Sequence, residues 1–188
     1  KNKKIKFKDV VQYFFLLKAF LKNGDIKNKL TNSYLSYIKT LENNKSIYKF
    51  NISDDIKKFN NIKFLGSGVN YLVAKNFANQ ASLKWRKAIS FDVIENHKHI
   101  DISSESLVII FASNIFRNGF INDVYSEIEK FIAHNNYPII FTNIGVNAFD
   151  VFETNKILSY SPKIIKLPIV DEILSLPTFE YYFNRFLT

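Results

Sequence analysis

The sequence contains no cysteine and no methionine, and only five glycines, four prolines and one tryptophan among 188 residues. Without cysteine the chain forms no disulfide, no thiolate metal site and no cysteine nucleophile, which is compatible with a reducing compartment. With no methionine and with lysine at position 1, we expect the sequence to be part of a longer or trimmed chain.

Long hydrophobic runs are also lacking. The most apolar stretches, near residues 10–21 and 107–112, are too short or too interrupted to reach the roughly 18 residues that cross a bilayer. The lysine-rich start is not a secretory signal, because Asp9 and Gln12 break the apolar segment that should follow it. The sequence therefore predicts no membrane partner and a cytoplasmic location.

Acidic residues are in deficit: 17 Asp and Glu stand against 26 Lys and Arg, a formal charge of +9. Such an excess is typical of nucleic-acid-binding proteins. Here, however, the lysines are scattered among Asn and Ile, are dense only over residues 1–8, and accompany no nucleic-acid-binding motif. We therefore predict a solvated lysine-rich surface and no nucleic-acid partner. A positive field also attracts anionic metabolites such as sugar phosphates.

Apolar periodicity predicts three helices in the first third of the chain. Residues 7–22 and 25–42 show helical spacing, and a short helix is expected to begin at Ser53, which would cap it ahead of Asp54 and Asp55. From Asn61 onward short apolar runs alternate with helical patterns, which indicates βαβ units and a parallel sheet. The predicted strands are 62–65, 89–93, 107–112, 138–142 and 164–167, and the predicted helices are 69–87, 118–135 and 171–187, the last tolerating Pro177.

A Gly-Ser-Gly junction stands at the end of the first predicted strand, in "NIKFLGSGVNYLVA" over residues 61–74. A strand that ends in glycines before a helix brings backbone N–H groups to the edge where anions bind. A nucleotide, a sugar phosphate and a turn needing glycine only for packing are the three candidates. The dinucleotide pattern lacks its third glycine, replaced by Tyr71, and its acidic partner, and the P-loop lysine is absent.

The segment "FLGSGVNYLVAKNFANQASLK", followed by "ENHKH", resembles the SIS (sugar isomerase) fold, in particular the second half of the isomerase domain of glucosamine-6-phosphate synthase. The first two predicted helices resemble the linker helices that precede that half, and "LPIVDEILSLPTFEYYF" resembles its closing segment. The resemblance implies a three-layer αβα domain with a five-stranded parallel, flavodoxin-like sheet over residues 61–188, after a helical lead-in over residues 1–60.

The resemblance also implies a function: binding of a sugar phosphate such as fructose 6-phosphate or glucosamine 6-phosphate, within a homodimer or a pair of SIS halves. Lys98 and His99 fall on the Lys-His pair of the family's catalytic loop, so His99 would open the sugar ring. His97 is a rival for that role, and Ile100 and Asp101 replace the family's Gly-Pro. The resemblance implies no cofactor and no metal.

The family's catalytic glutamate falls on Leu83, so a carboxylate base is missing there, and Asp92 and Glu95 are the nearest acids. Glu95 is the candidate base. Ser113 and Asn114 are the candidate donors of a phosphate nest, a concave group of hydrogen-bond donors, with Arg117 as a possible clamp. The remaining predicted substrate-binding residues lie at the first turn: Gly66, Ser67, Gly68 and Asn70.

Three hypotheses follow. The chain is a phosphosugar-binding SIS protein of the isomerase or aminotransferase type that completes an active site across a dimer, or it is a non-catalytic SIS module for sensing or scaffolding. The third hypothesis is a flavodoxin-like or dinucleotide-binding domain. The aromatic residues near the end, Tyr181, Tyr182, Phe183 and Phe186, are interpreted as core and dimer interface, and the pairs Asp54-Asp55 and Asp171-Glu172 as helix-dipole partners.

Overall fold

The computed structural model describes residues 24–43, 52–94, 105–113, 120–144, 162–168 and 172–186, together with Ala19 and Asn96. Apart from Ala19, the helix predicted over residues 7–22 lies outside the described residues. Every other predicted helix and strand is present, with ends within about two residues of the prediction. The elements are α1 (Gly24–Asn43), α2 (Ser53–Lys58), β1 (Asn61–Leu65), α3 (Val69–Trp85), β2 (Ala88–Asp92), β3 (Leu107–Ala112), α4 (Phe120–Ala133), β4 (Tyr137–Thr142), β5 (Lys163–Lys166) and α5 (Glu172–Phe186).

The five strands form one parallel sheet in the order β2-β1-β3-β4-β5. Strand β3, "LVIIFA", is buried along its whole length because β1 and β4 flank it and helices cover both faces. The chain moves outward from β1 to β2 and then returns across β1 to β3. The strand order therefore reverses between β1 and β3, at a point that only the folded sheet reveals.

Helices cover both faces of the sheet, as predicted. Alternate residues of β3 point to opposite sides: Ile109 and Phe111 join a core under α3 and α5, whereas Ile110 joins a second core under α4. The architecture is thus the predicted three-layer αβα domain with a five-stranded parallel sheet.

The core under α3 and α5 is built around Phe183 of α5. Its ring centroid lies 4.3 Å from that of Phe77, 5.3 Å from Phe141 and 5.4 Å from Phe111. Tyr182 and Phe183 are both buried, which confirms that they are core residues. Pro177 lies inside α5, as the sequence analysis allowed.

Helix α2 differs from the prediction at its first turn. Its N-cap is Ile52, whose carbonyl oxygen accepts a hydrogen bond from Ile56 N at 2.9 Å, so Ser53 is already inside the helix. Ile52 takes this place because it is buried in the core under α3 and α5. The division into a lead-in over 1–60 and a domain over 61–188 stays a prediction.

Asp55 has a role beyond the predicted interaction with the helix dipole. Its Oδ2 accepts a hydrogen bond from Lys163 Nζ of β5 at 2.9 Å, and both side chains are largely shielded from water. This ion pair ties α2 to the far edge of the sheet. Local sequence patterns do not reveal this pair, because 108 positions separate the two residues.

None of the helices in the described ranges combines the length and the apolar composition needed to cross a membrane.

Candidate functional site

In an open parallel sheet the ligand crevice forms at the carboxyl ends of the strands, where the strand order reverses. Here that point lies between β1 and β3, which pair directly, with Leu65 opposite Ile110. The Gly-Ser-Gly turn follows β1, and Ser113 follows β3. The topology therefore places these two predicted binding segments on neighbouring strands.

Each glycine of the turn has its own structural reason. A Cβ atom on Gly66 would collide with the backbone carbonyl of Asn70 and would lie 3.0 Å from the Cβ of Asn70. Helix α3 can therefore begin this close to the end of β1 only because residue 66 is a glycine. Gly68 has φ 56° and ψ −125°, a conformation that L-residues with a side chain avoid. The packing role of the glycines is thus real, and it does not exclude a ligand.

The turn is held by backbone hydrogen bonds to both sides. Gly66 N donates to the carbonyl of Asp92 at 3.3 Å, which joins the turn to the end of β2, and Asn70 N donates to the carbonyl of Ser67 at 3.1 Å. Ser67 is buried. These hydrogen bonds join the turn to β2 and to the first turn of α3 at the reversal point.

Asn70 is the most informative side chain of the site. It lies in the first turn of α3 and is fully buried, yet within the described part of the chain neither its Oδ1 nor its Nδ2 has a hydrogen-bond partner. Leaving a buried polar group unsatisfied costs about 1–3 kcal/mol. Such groups in native proteins call for an explanation, and a ligand that supplies the missing bonds is one.

Ser113 has the same property on the neighbouring strand. It is fully buried, and its Oγ has no hydrogen-bond partner among the residues that the structure describes. Because Ile109 and Phe111 face α3, the alternation of the strand places Ser113 on that same side of the sheet. Two unsatisfied polar side chains therefore stand at one edge and on one face.

A third polar group on this face was missed by the sequence analysis. Asn143, directly after β4, donates from Nδ2 to Ser175 Oγ of α5 at 3.0 Å, and both residues are fully buried. The signal that could have revealed Asn143 is its place immediately after a buried strand. Unlike Asn70 and Ser113, Asn143 has a hydrogen-bond partner within the protein. Its side chain therefore stabilises this edge of the sheet.

The acidic residues near this edge are otherwise engaged or outside the described residues. Asp92 Oδ1 accepts hydrogen bonds from Val93 N at 2.7 Å and from Asn96 Nδ2 at 3.3 Å, so it closes the turn after β2.

Leu83, the position on which the family's catalytic glutamate falls, lies at the distant end of α3 and is 85% exposed. The other predicted site residues lie outside the described residues: Glu95, His97, Lys98, His99, Asn114 and Arg117.

In the described ranges, no cluster of three or more His, Asp or Glu residues could hold a metal ion. At the carboxyl ends of β1 and β3 the described polar side chains are the neutral ones of Ser67, Asn70 and Ser113. Hydroxyl and amide groups of this kind bind sugar hydroxyls and phosphate oxygens.

A cavity of about 390 Å³ opens at the opposite, amino-terminal edge of the sheet, between Lys58, Glu105, Asn135 and Tyr137. The amide of Asn136, which lines this cavity, is already used: Oδ1 accepts from Ser106 N at 3.2 Å and Nδ2 donates to the His134 carbonyl at 3.4 Å. The edge with unsatisfied groups is the stronger candidate.

No protein-family profile and no curated protein sequence matches the chain. Solved structures do: the C-terminal domain of glucosamine-fructose-6-phosphate aminotransferase from Francisella tularensis superimposes with a TM-score of 0.62, 15% identity and coverage of 87% of this chain. The chain has the SIS fold. It spans 43% of that Francisella chain, less than half of its length.

Two further structures with the SIS fold match over most of their own length. An Escherichia coli CFT073 protein solved in complex with a sugar phosphate has a TM-score of 0.55 and 14% identity, with 88% of each chain covered. A Listeria monocytogenes protein, assigned by inference as a sugar-phosphate isomerase, has a TM-score of 0.54 and 10% identity, with 89% of each chain covered. At these identities the likeness establishes the fold alone.

Proposed function

We propose that this chain binds a sugar phosphate at the carboxyl ends of β1 and β3. The observation that carries the proposal is the pair Asn70 and Ser113, two fully buried side chains whose polar atoms have no partner among the described residues. They stand at the strand-order reversal, on one face of the sheet, beside the start of a helix. Solved SIS structures that are named for sugar-phosphate chemistry, or that hold a sugar phosphate, support the ligand class.

The described groups suit binding better than proton transfer. Ring opening and proton transfer between C1 and C2 of a sugar need an acid and a base, whereas the described side chains at the ends of β1 and β3 are neutral, and Asp92 at the end of β2 accepts hydrogen bonds within its own turn. Isomerisation would therefore depend on His99 and Glu95. The isomerase or aminotransferase activity stays a prediction, and a non-catalytic phosphosugar module is its alternative.

Isothermal titration with fructose 6-phosphate tests the binding. We expect the wild-type chain to bind, and Asn70→Ala and Ser113→Ala to weaken binding about tenfold or more, since a hydrogen bond to a charged group contributes roughly 1.5–3 kcal/mol. Ser82→Ala, on the exposed side of α3, is the matched control and should bind normally. A wild-type chain that binds neither fructose 6-phosphate nor glucosamine 6-phosphate would contradict the proposal.

An isomerisation assay separates the two forms of this function. If the chain interconverts sugar-phosphate isomers and His99→Ala abolishes turnover while binding persists, the chain is an isomerase. If it binds fructose 6-phosphate with no turnover, alone or mixed with a separate SIS half, it is a binding module.

A further inference from the structure

The cavity at the amino-terminal edge of the sheet, here called the amino-edge cavity, lies where three neighbouring strands begin. Leu107 of β3 pairs with Ile62 of β1 on one side and with Tyr137 of β4 on the other. The residues just before these strands therefore lie side by side, with neighbouring chains about 5 Å apart. The volume of about 390 Å³ lies within the range of about 300–1,000 Å³ that is typical of small-molecule sites.

The wall of the amino-edge cavity carries polar side chains that the protein does not use. Five of them have no hydrogen-bond or ion-pair partner within the described part of the chain: Lys58, Asn60, Asn61, Glu105 and Asn135. Four of the five are exposed and Asn61 is half-buried, so water can hydrate them in the absence of a ligand. A ligand that enters the cavity can replace that water without breaking any bond within the protein.

The backbone around the cavity is held by its own hydrogen bonds. Asn136 Oδ1 accepts from Ser106 N at 3.2 Å, and the carbonyl of Ser106 accepts from Tyr137 N at 2.8 Å. Asn136 N in turn donates to the carbonyl of Phe131 at 2.8 Å. These bonds tie the starts of β3 and β4 to the end of α4, so the polar side chains of the wall stand on segments that are already joined.

Lys58 and Glu105 place opposite charges on this one cavity, yet they form no ion pair with each other. A ligand that bridges them needs an anionic group for the lysine and a cationic group for the glutamate. Helix α4 ends at Ala133 on this edge, and the negative end of its dipole favours a cation. The stacked rings of Phe59 and Tyr137, with centroids 5.7 Å apart, also favour a cation.

We propose that the amino-edge cavity binds a small zwitterion, namely a free α-amino acid with a polar side chain. Its carboxylate binds Lys58 and its ammonium group binds Glu105. The amides of Asn60, Asn61 and Asn135 bind the polar side chain, because an amide both donates and accepts hydrogen bonds. A neutral sugar would leave both charges of the cavity unmatched, and Glu105 would repel a phosphate.

Isothermal titration of the full chain with each of the common amino acids in turn tests for the ligand. We expect an amino acid with a polar side chain to bind, and Lys58→Gln and Glu105→Gln each to weaken its binding about fivefold, because an ion pair at an exposed site is weak. Lys29→Gln and Glu129→Gln, exposed and outside the cavity wall, are the matched controls and should bind like the wild type. Absence of binding by every amino acid would refute the proposal.

Two derivatives of the amino acid that binds test how it is oriented. Its methyl ester lacks the carboxylate charge, and its N-acetyl form lacks the ammonium charge. Lys58→Gln should weaken binding of the amino acid but not of the methyl ester, and Glu105→Gln should weaken binding of the amino acid but not of the N-acetyl form. If the wild type binds the methyl ester as tightly as the amino acid, the cavity takes amines rather than zwitterions and the proposal fails.

The phosphosugar variants show which edge of the sheet the amino acid occupies. Asn70→Ala should bind the amino acid like the wild type, and Glu105→Gln should bind fructose 6-phosphate like the wild type. Loss of amino-acid binding in Asn70→Ala would place the amino acid at the carboxyl edge and overturn the proposal. If the wild type binds the amino acid through Lys58 and Glu105 but binds no sugar phosphate, the proposed function fails while this inference stands.

Discussion

Gly68 is held in a backbone conformation that only glycine adopts without strain, with φ 56° and ψ −125°. We expect Gly68→Ala to lower the free energy of unfolding by about 1–3 kcal/mol. Urea unfolding measures the change. Gly24→Ala is the control, because a Cβ there would meet no atom within 4 Å, and it should alter stability by less than about 1 kcal/mol. Equal effects of the two substitutions would contradict this account of the turn.

Two buried serines make a matched pair for separating a ligand group from a structural one. Ser175 Oγ accepts a hydrogen bond from Asn143, so Ser175→Ala should destabilise the fold by about 1–3 kcal/mol by leaving that amide unpaired. Ser113 Oγ has no partner in the described structure, so Ser113→Ala should leave stability unchanged or raise it, while it weakens fructose 6-phosphate binding. Thermal melts of both variants, with and without ligand, decide between the two roles.

Tyr137 gives the stability a pH dependence in the alkaline range. Burial raises the pKa of its phenol above the ordinary value of 10.0, and the nearby negative charge of Asp55 raises this pKa further. The unfolded chain therefore loses this proton at lower pH than the native chain. The contribution of Tyr137 to the free energy of unfolding is fully present below about pH 10 and is lost as the pH rises through the native pKa.

Urea unfolding of the wild type and of Tyr137→Phe, below and above about pH 10, measures this contribution. The wild type should lose more unfolding free energy than the variant. An identical loss in both proteins would show that Tyr137 contributes nothing to the pH dependence.

At the scale of elements, α5 is held to the sheet by aromatic packing around Phe183. This side chain is fully buried and contacts the rings of Phe77, Phe111 and Phe141. Phe183→Ala should lower the free energy of unfolding by about 3–5 kcal/mol, because it removes apolar contact and leaves a cavity. Leu35→Ala, at an exposed position on α1, should change it by less than about 0.5 kcal/mol. Urea titration of both variants provides the comparison.

The element boundaries were accessible from sequence where apolar periodicity is strong. The run 107–112 predicted β3 to the residue, since a continuous apolar segment of this length fits a strand covered on both faces. The start of α2 was less accessible. Its N-cap is Ile52 rather than Ser53 because burial of the isoleucine outweighs the local capping preference of serine.

At the scale of the whole molecule, the charge of +9 should strengthen the attraction of an anionic ligand. We expect the affinity for fructose 6-phosphate to fall as salt is raised from about 0.01 to 0.15 M, because the Debye length shortens from about 30 to about 8 Å. The affinity for unphosphorylated fructose is the control and should not change with salt. Titration calorimetry at both salt concentrations measures the effect, and equal salt dependence for the two sugars would contradict it.

The candidate site could be predicted in part. The glycine turn with Ser67 and Asn70, and Ser113 after β3, were identified from sequence as substrate-binding residues, and the structure places both segments at the strand-order reversal. That Asn70 and Ser113 are buried with unsatisfied polar atoms was not accessible, because burial depends on neighbours distant in sequence. The roles of His99, Lys98, Glu95 and Asn114 stay predictions.

The sequence by itself determined the alternation of strands and helices, the parallel sheet and the glycine turn, because these depend on periodicity and backbone freedom within short segments. Only the tertiary structure decided the strand order, the Asp55–Lys163 ion pair and the common face of Asn70 and Ser113. It also brought Lys58 and Glu105 to the wall of one cavity. Each of these results depends on which distant segments pack together, and local sequence patterns do not encode that choice.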